Sequence, residues 1–98
     1  AAASAKLAPT TDFRISITNA PGADAYPIAS FTWLLVHKDS KEPAKAKALK
    51  DFLSWMITPE AQQMAAELKY APLPTAVVAL IDARIKTLKA GGKVLALN

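Results

Sequence analysis

The stretch Pro27-Ile28-Ala29-Ser30-Phe31-Thr32-Trp33-Leu34-Leu35-Val36 is the most apolar part of the chain, and after Ser30 both of its alternating faces carry large side chains. Successive side chains of a strand point to opposite faces, so a segment apolar on both faces belongs in a sheet covered by helices on each side. Such a sheet needs several neighbouring strands. Only one other stretch has strand character: Asp12 to Thr18 alternates, with Phe13, Ile15 and Ile17 on one face and Arg14, Ser16 and Thr18 on the other. Asn19-Ala20-Pro21-Gly22 then breaks the pattern. Two strands are too few for the covered sheet that the Tyr26 to Lys38 segment requires.

The rest of the chain reads as helices. Pro43 suits a first helical turn, and Leu49, Phe52, Leu53 and Met56 recur at helical spacing, with Lys47, Lys50, Asp51 and Ser54 on the opposite face. Thr58-Pro59-Glu60 ends that helix and starts a second one: Thr58 serves as N-cap, Pro59 takes the first position and Glu60 meets the positive end of the helix dipole. This second helix is expected to bury Ala61, Met64, Ala65 and Leu68. Tyr70-Ala71-Pro72-Leu73-Pro74 cannot continue it, because each Pro lacks a donor and pushes its predecessor out of the helical region. A third helix is predicted from about Thr75, with Val77, Val78, Ile81, Ile85 and Leu88 inward, ending before Gly91-Gly92. The fold class is therefore α/β, two strands followed by three helices. The Ala-rich start, with Pro9 as a stop signal, reads as the tail of a helix entered mid-course and ending near Leu7, with a frayed or processed N-terminus as the alternative.

The core expected from 98 residues is thin: 52% of them are apolar, but Ala accounts for 21 residues. A compact chain of this size buries only about 60 to 65% of its unfolded surface, so a further partner surface is expected. A charged fraction of 20% excludes a disordered composition. No apolar run approaches the roughly 18 residues of a membrane span. The absence of Cys excludes a disulfide scaffold, a Cys-rich zinc site and a thiol nucleophile.

Catalytic chemistry has little to draw on. His37 is the single imidazole, and Asp39 would share its face in an extended chain, an arrangement that can orient a base. A polar strand end where the sheet meets water explains the pair better. No nucleophile elbow and no metal-ligand spacing occurs. The helix starts at Pro43 and Thr58 could bind anions, but each carries Pro at its first position and an acid beside it, Glu42 and Glu60, which fits ordinary capping better. Lys38, Lys41, Lys45, Lys47 and Lys50 are interleaved with Asp39, Glu42 and Asp51 and lack stacking aromatics, the pattern of a solvated helix face and not of a nucleic-acid interface. Trp33 and Trp55 sit in or near apolar runs and are expected to pack.

From Asp12-Phe13-Arg14-Ile15-Ser16-Ile17-Thr18-Asn19-Ala20 through Ala25-Tyr26-Pro27-Ile28-Ala29-Ser30-Phe31-Thr32-Trp33-Leu34-Leu35-Val36, the sequence resembles the periplasmic phosphate-binding proteins of high-affinity phosphate ABC importers. The Phe52-Leu53 helix, Thr58-Pro59-Glu60-Ala61-Gln62, Tyr70-Ala71-Pro72-Leu73-Pro74 and Val77-Val78 are similar to the C-terminal region of that family. The resemblance implies a secreted bacterial protein of two α/β lobes that closes on inorganic phosphate and presents it to the permease subunits of an ABC importer. It covers nearly all of this chain but about the last third of such a protein. Residues 1–25 would then end the second lobe, 26–28 would cross between lobes, and 29–98 would form the C-terminal part of the first lobe. Tyr26 and Pro27 become hinge candidates, with plain strand entry as the alternative.

In that family the phosphate ligands lie in the earlier part of the chain, so no ligand-binding residue carries over, and no catalytic residue, metal or cofactor is implied. The expected function is that of a fragment of a phosphate-binding protein, not an enzyme, which by itself does not bind phosphate. The alternatives are a small autonomous protein-interaction module, or a binding protein for another small oxyanion or solute.

Overall fold

The computed structural model describes residues 1–95. Its elements are β1 (Asp39–Ser40), α1 (Pro43–Met56), α2 (Pro59–Glu67), α3 (Thr75–Ile85), β2 (Lys89–Ala90) and β3 (Lys93–Val94). All three expected helices are present, and a mixed α/β chain results.

The local chemistry explains their boundaries. Pro occupies the first turn of α1 and of α2, where a missing N–H costs nothing. The Thr58 hydroxyl accepts from Ala61 N–H at 3.3 Å and donates to the Trp55 carbonyl at 2.7 Å, so one side chain both closes α1 and opens α2. Beyond α2, Lys69 takes a left-handed φ of 66°, Tyr70 N–H donates to the Ala65 carbonyl, and Lys69 N–H donates to that of Ala66. This is a Schellman ending, with Lys standing where Gly is usual. Gln62 links the elements: its amide donates to the Met56 carbonyl at 2.8 Å and its oxygen accepts from Leu73 N–H at 2.6 Å. The Pro72-Leu73-Pro74 segment is thereby tied across α2 before α3 begins.

The third helix ends at Ile85, earlier than its expected stop, and Leu88 lies outside it. Gly91-Gly92 is not a helix terminator but the two-residue turn of a hairpin, with φ of 59° and 78°, placing Ala90 opposite Lys93. Positive φ at both central positions is what such a turn demands. The sheet order is β1-β2-β3, with β1 parallel to β2 and β2 antiparallel to β3. The helices form the crossover that parallel pairing requires.

The two segments expected as strands are not strands here. Along residues 12–18, Phe13, Ile15 and Ile17 are more buried than Arg14, Ser16 and Thr18, as the alternation predicts, yet no ladder forms: Phe13 takes a left-handed φ of 63° and its carbonyl accepts Ile15 N–H at 2.9 Å, which breaks the extended path. Residues 26–36 lie alongside in reverse order, held by Asn19 N–H to the Pro27 carbonyl at 2.7 Å, Thr18 Oγ1 to that of Ala29 at 3.3 Å, and Trp33 Nε1 to that of Phe13 at 2.8 Å. These contacts outline an antiparallel ribbon without consecutive backbone pairs. A two-stranded ribbon alone is marginal in water, which accounts for the lost ladder. The Ala-rich start makes one turn, with Ser4 and Ala5 N–H on the Ala1 carbonyl, and no helix.

Burial also departs from expectation. Ile17, Ala61, Val77, Ile85 and Ala90 form the apolar core. Val77 and Ile85 confirm the inward stripe of α3. On α1 the buried position is Lys50, at 1% exposure, whereas Phe52 is 53% exposed and Leu49 and Trp55 are exposed as well. The Leu49, Phe52 and Trp55 edge of the apolar stripe thus stays largely in water, Leu53 and Met56 are half-buried, and the Lys50 stem finds the packed site. Met64 and Leu68 of α2 are exposed too, leaving Ala61 as its anchor. The radius of gyration, 14.8 Å, exceeds the roughly 13 Å of a compact chain this long.

Candidate functional site

Hinge candidates Tyr26 and Pro27 stand where the ribbon turns. Tyr26 is 67% exposed, and the Pro27 carbonyl accepts the first bond that ties 26–36 to 12–19. Pro fixes φ at this junction and supplies no donor. The turn before it is closed by Ala25 N–H on the Gly22 carbonyl at 3.2 Å. Gly22, with φ of 129°, adopts a backbone conformation that a side chain would strain.

An open apolar groove of about 420 Å³ lies between residues 31–36 and the helices, lined among others by Phe31, Trp33, Leu53, Met56, Val77 and Ile81. Trp33, expected inside a sheet, is 47% exposed at its rim. The groove floor carries the buried face of α3. Arg84 closes one end, its guanidinium donating to the Thr10 and Thr11 carbonyls at 2.6 Å each. Asp12 pairs with Arg14 at 2.7 Å. Hydrogen bonds from the Arg14 backbone N–H and then from its guanidinium hold the Asp12 carboxyl below the usual carboxylate range.

A smaller recess of about 200 Å³ contains His37, Ser40, Glu42, Lys45 and Lys89. Asp39 does not orient His37, since its Oδ1 accepts Gly92 N–H at 3.1 Å and serves the hairpin. Lys45 pairs with Glu42 at 2.8 Å and Lys47 with Asp51 at 3.2 Å, so two members of the basic stretch are neutralised on the helix surface. Phe52 and Trp55 stack on each other, ring centroids 6.1 Å apart, in place of packing into the core. Among the described residues no group of three or more His, Cys, Asp or Glu could hold a metal ion. No helix among them is long and apolar enough to cross a membrane.

Three features escaped the sequence pattern. Lys50 donates to the Leu95 carbonyl from a buried position, and Ser54 Oγ, also buried on α1, has no hydrogen-bond partner among the described residues. Nothing in the spacing of α1 marks them, because Lys and Ser on a polar face ordinarily meet water. Arg84 was equally hidden, since its acceptors are carbonyls more than seventy residues away in sequence.

A curated phosphate-binding protein PstS from Xylella fastidiosa is 40% identical over 83 residues, which is 85% of this chain and 22% of that protein. In sequence, the chain is similar to a segment of phosphate-binding proteins. A phosphate-binding protein PstS from Pasteurella multocida is 33% identical over 87 residues, 89% of this chain and 25% of its own length. The PstS of Methanocaldococcus jannaschii is 57% identical over 44 residues, 41% of this chain and 11% of its own. The chain therefore spans about a quarter of the length of the phosphate-binding proteins that match it along most of its own. No family model matches it, and no solved structure does so significantly.

Proposed function

We propose that this chain is the C-terminal part of a phosphate-binding protein that captures inorganic phosphate outside the cytoplasm and delivers it to the permease of an ABC importer. The observation that carries this reading is the match along 85 to 89% of the chain to proteins named for phosphate binding, three of whose quarters lie beyond the match. A two-lobed fold follows from the same kinship. Residues 1–25 end the second lobe, 26–28 cross between lobes, and 29–98 complete the first. Tyr26 and Pro27 act as the hinge: they sit at the bend between the two extended segments, where a fixed φ and an exposed ring leave the neighbouring residues to absorb rotation. Phosphate contacts come from the portion beyond the match, so the 98 residues alone do not hold the anion.

Isothermal titration with inorganic phosphate tests this. The chain alone is expected to give no binding heat, and a chimera in which it replaces the matching stretch of the Xylella fastidiosa relative is expected to bind. A folded chimera that ignores phosphate contradicts the reading. Binding of a different oxyanion in its place assigns the chain to another solute. A cooperative thermal transition of the 98 residues alone, with no gain on joining, favours an autonomous interaction module.

A further inference from the structure

The formal charge of +4 is unevenly spread along the chain. Residues 38–45 and 89–93 hold five of the twelve cations, Lys38, Lys41, Lys45, Lys89 and Lys93, against two of the eight acids, Asp39 and Glu42. Thirteen residues thus carry a net +3, and the other eighty-five only +1. The fold brings the two stretches together. Asp39 stands opposite Lys89 in the parallel pair, the Lys38 carbonyl accepts Lys89 N–H at 2.9 Å, and Lys93 stands opposite Ala90 across the hairpin. Lys45 and Lys89 line one recess beside the sheet.

Little within the molecule consumes that charge. Lys38, Lys41 and Lys93 are exposed, and with half-buried Lys89 they make no ion pair among the described residues. Glu42 is engaged by Lys45, and Asp39 Oδ1 accepts Gly92 N–H at 3.1 Å. Paired strands lie about 4.8 Å apart, so three of them span about 10 Å, close to the Debye length of about 8 to 10 Å at ordinary ionic strength. The lysines therefore act on an approaching anionic surface as one field.

Residue type selects the partner. Every cation of the patch is Lys, and both Arg residues of the chain, Arg14 and Arg84, lie elsewhere. Arg has the planar fork that grips a single carboxylate or phosphate, and protein interfaces favour Arg and aromatic side chains while Lys is depleted from them. Single-stranded nucleic acid is met by stacking aromatics, and neither stretch contains one. Hydrated ammonium groups on flexible stems suit a surface of many anions, none of which is recognised individually. We infer that the lysine patch formed by residues 38–45 and 89–93 is an electrostatic docking surface for membrane lipids with anionic phosphodiester headgroups. Delivery to a membrane permease, under the proposed function, brings the patch to such a surface, but the inference stands on the charge distribution and needs no phosphate site.

The test is flotation of the 98-residue chain with vesicles of phosphatidylcholine, pure or with phosphatidylglycerol as a minor component. The expected result is co-flotation with the anionic vesicles in low salt, weaker by about tenfold or more at about 0.15 M salt, and none with phosphatidylcholine alone. Lys41→Glu combined with Lys93→Glu should weaken binding about tenfold or more, since each lysine near the surface contributes about fivefold. Lys6→Glu combined with Lys69→Glu changes the net charge equally outside the patch and should weaken it less than about threefold. All four side chains are exposed and form no ion pair among the described residues, so circular dichroism should be unchanged in both variants. Equal losses in the two variants would reduce the effect to net charge and overturn the patch. Absence of vesicle binding overturns it as well, and so does binding to pure phosphatidylcholine that persists in salt, which belongs to exposed apolar side chains. Displacement by inorganic phosphate at matched ionic strength would make the patch a site for the free anion, and capture on polyglutamate without vesicle binding would make it a surface for an acidic protein; either result overturns the lipid assignment. The phosphate reading is decided separately, by titration of the chimera.

Discussion

The Lys50 ammonium, buried on α1, donates to the carbonyl of Leu95, joining the middle of the first helix to the end of the hairpin across 45 positions of sequence. A buried ammonium is expensive unless it is hydrogen-bonded, and an unpaired buried carbonyl costs about 1 to 3 kcal/mol. The Lys50 stem is at the same time one of the best-packed apolar bodies in the molecule. These contributions separate in two variants. Lys50→Met keeps the stem and removes the charge, so loss of the Leu95 bond and relief of desolvation nearly offset each other, within about 1 kcal/mol. Lys50→Ala also empties the site and should cost about 2 to 4 kcal/mol. Urea unfolding of both variants checks this; equal losses would mean that the charge, not the stem, holds the hairpin.

A second outcome concerns the end of α2. Lys69 holds φ at 66°, a left-handed conformation that costs an L-residue with Cβ about 1 to 2 kcal/mol. Gly takes it without strain, but it gives the unfolded chain extra freedom worth about 0.5 to 1 kcal/mol. The difference favours Lys69→Gly by about 0.5 to 1 kcal/mol, seen as a higher denaturation midpoint with an unchanged slope. Lys69→Ala, which keeps the strain, should leave the midpoint nearly where it is.

Legibility in sequence followed the range of the forces involved. Thr58-Pro59-Glu60 and the Pro72-Leu73-Pro74 break act within a few residues, and the helices they delimit are where they were expected. The α3 stripe was readable because Val77 and Ile85 find neighbours inside the chain. The alternation of Phe13, Ile15 and Ile17 survives as a burial pattern even though the hydrogen bonds of a strand do not form. What failed depended on distant partners. The apolar spacing of Leu49, Phe52 and Met56 predicts a buried face, but a face is buried only if something covers it, and Lys50 has an acceptor that no local pattern reveals. Gly91-Gly92 reads as a helix stop because the alternating signal around it is only two residues deep on each side. At the candidate hinge, Tyr26 and Pro27 were picked out by resemblance, whereas the groove and the Arg84 clamp emerge only in three dimensions.

That clamp gives a third outcome. Arg84 donates to the Thr10 and Thr11 carbonyls at 2.6 Å each and thereby fastens the start of the 12–18 segment to the last turn of α3. A guanidinium is suited to this because a single Nη2 carries two N–H groups, which reach the two adjacent carbonyls without needing a carboxylate. Arg84→Gln should detach the segment with the helices in place: amides of 13–17 exchange several-fold faster, helical circular dichroism stays the same, and stability falls by about 1 kcal/mol. Uniformly faster exchange in α1 and α3 as well would show that the clamp supports the whole fold and not the segment alone.

Asp12 and Arg14 predict the direction of a pH effect. The Arg14 backbone N–H, then its guanidinium at 2.7 Å, favour the ionised Asp12 carboxyl and lower its pKa from the ordinary value of 3.8. A group whose folded pKa is depressed contributes stability above its unfolded pKa and loses that contribution as pH falls through the folded value. The local turn at 12–14 should thus persist at pH 4 and open only at a more acidic pH. Nuclear magnetic resonance titration of the Asp12 carboxyl should give a midpoint below 3.8. Arg14→Ala should raise that midpoint only part of the way, because the backbone N–H, the larger contribution, remains at position 14. A wild-type midpoint at or above the ordinary value would mean that the pair is not formed in solution, and full reversion in Arg14→Ala would assign the shift to the guanidinium in place of the backbone.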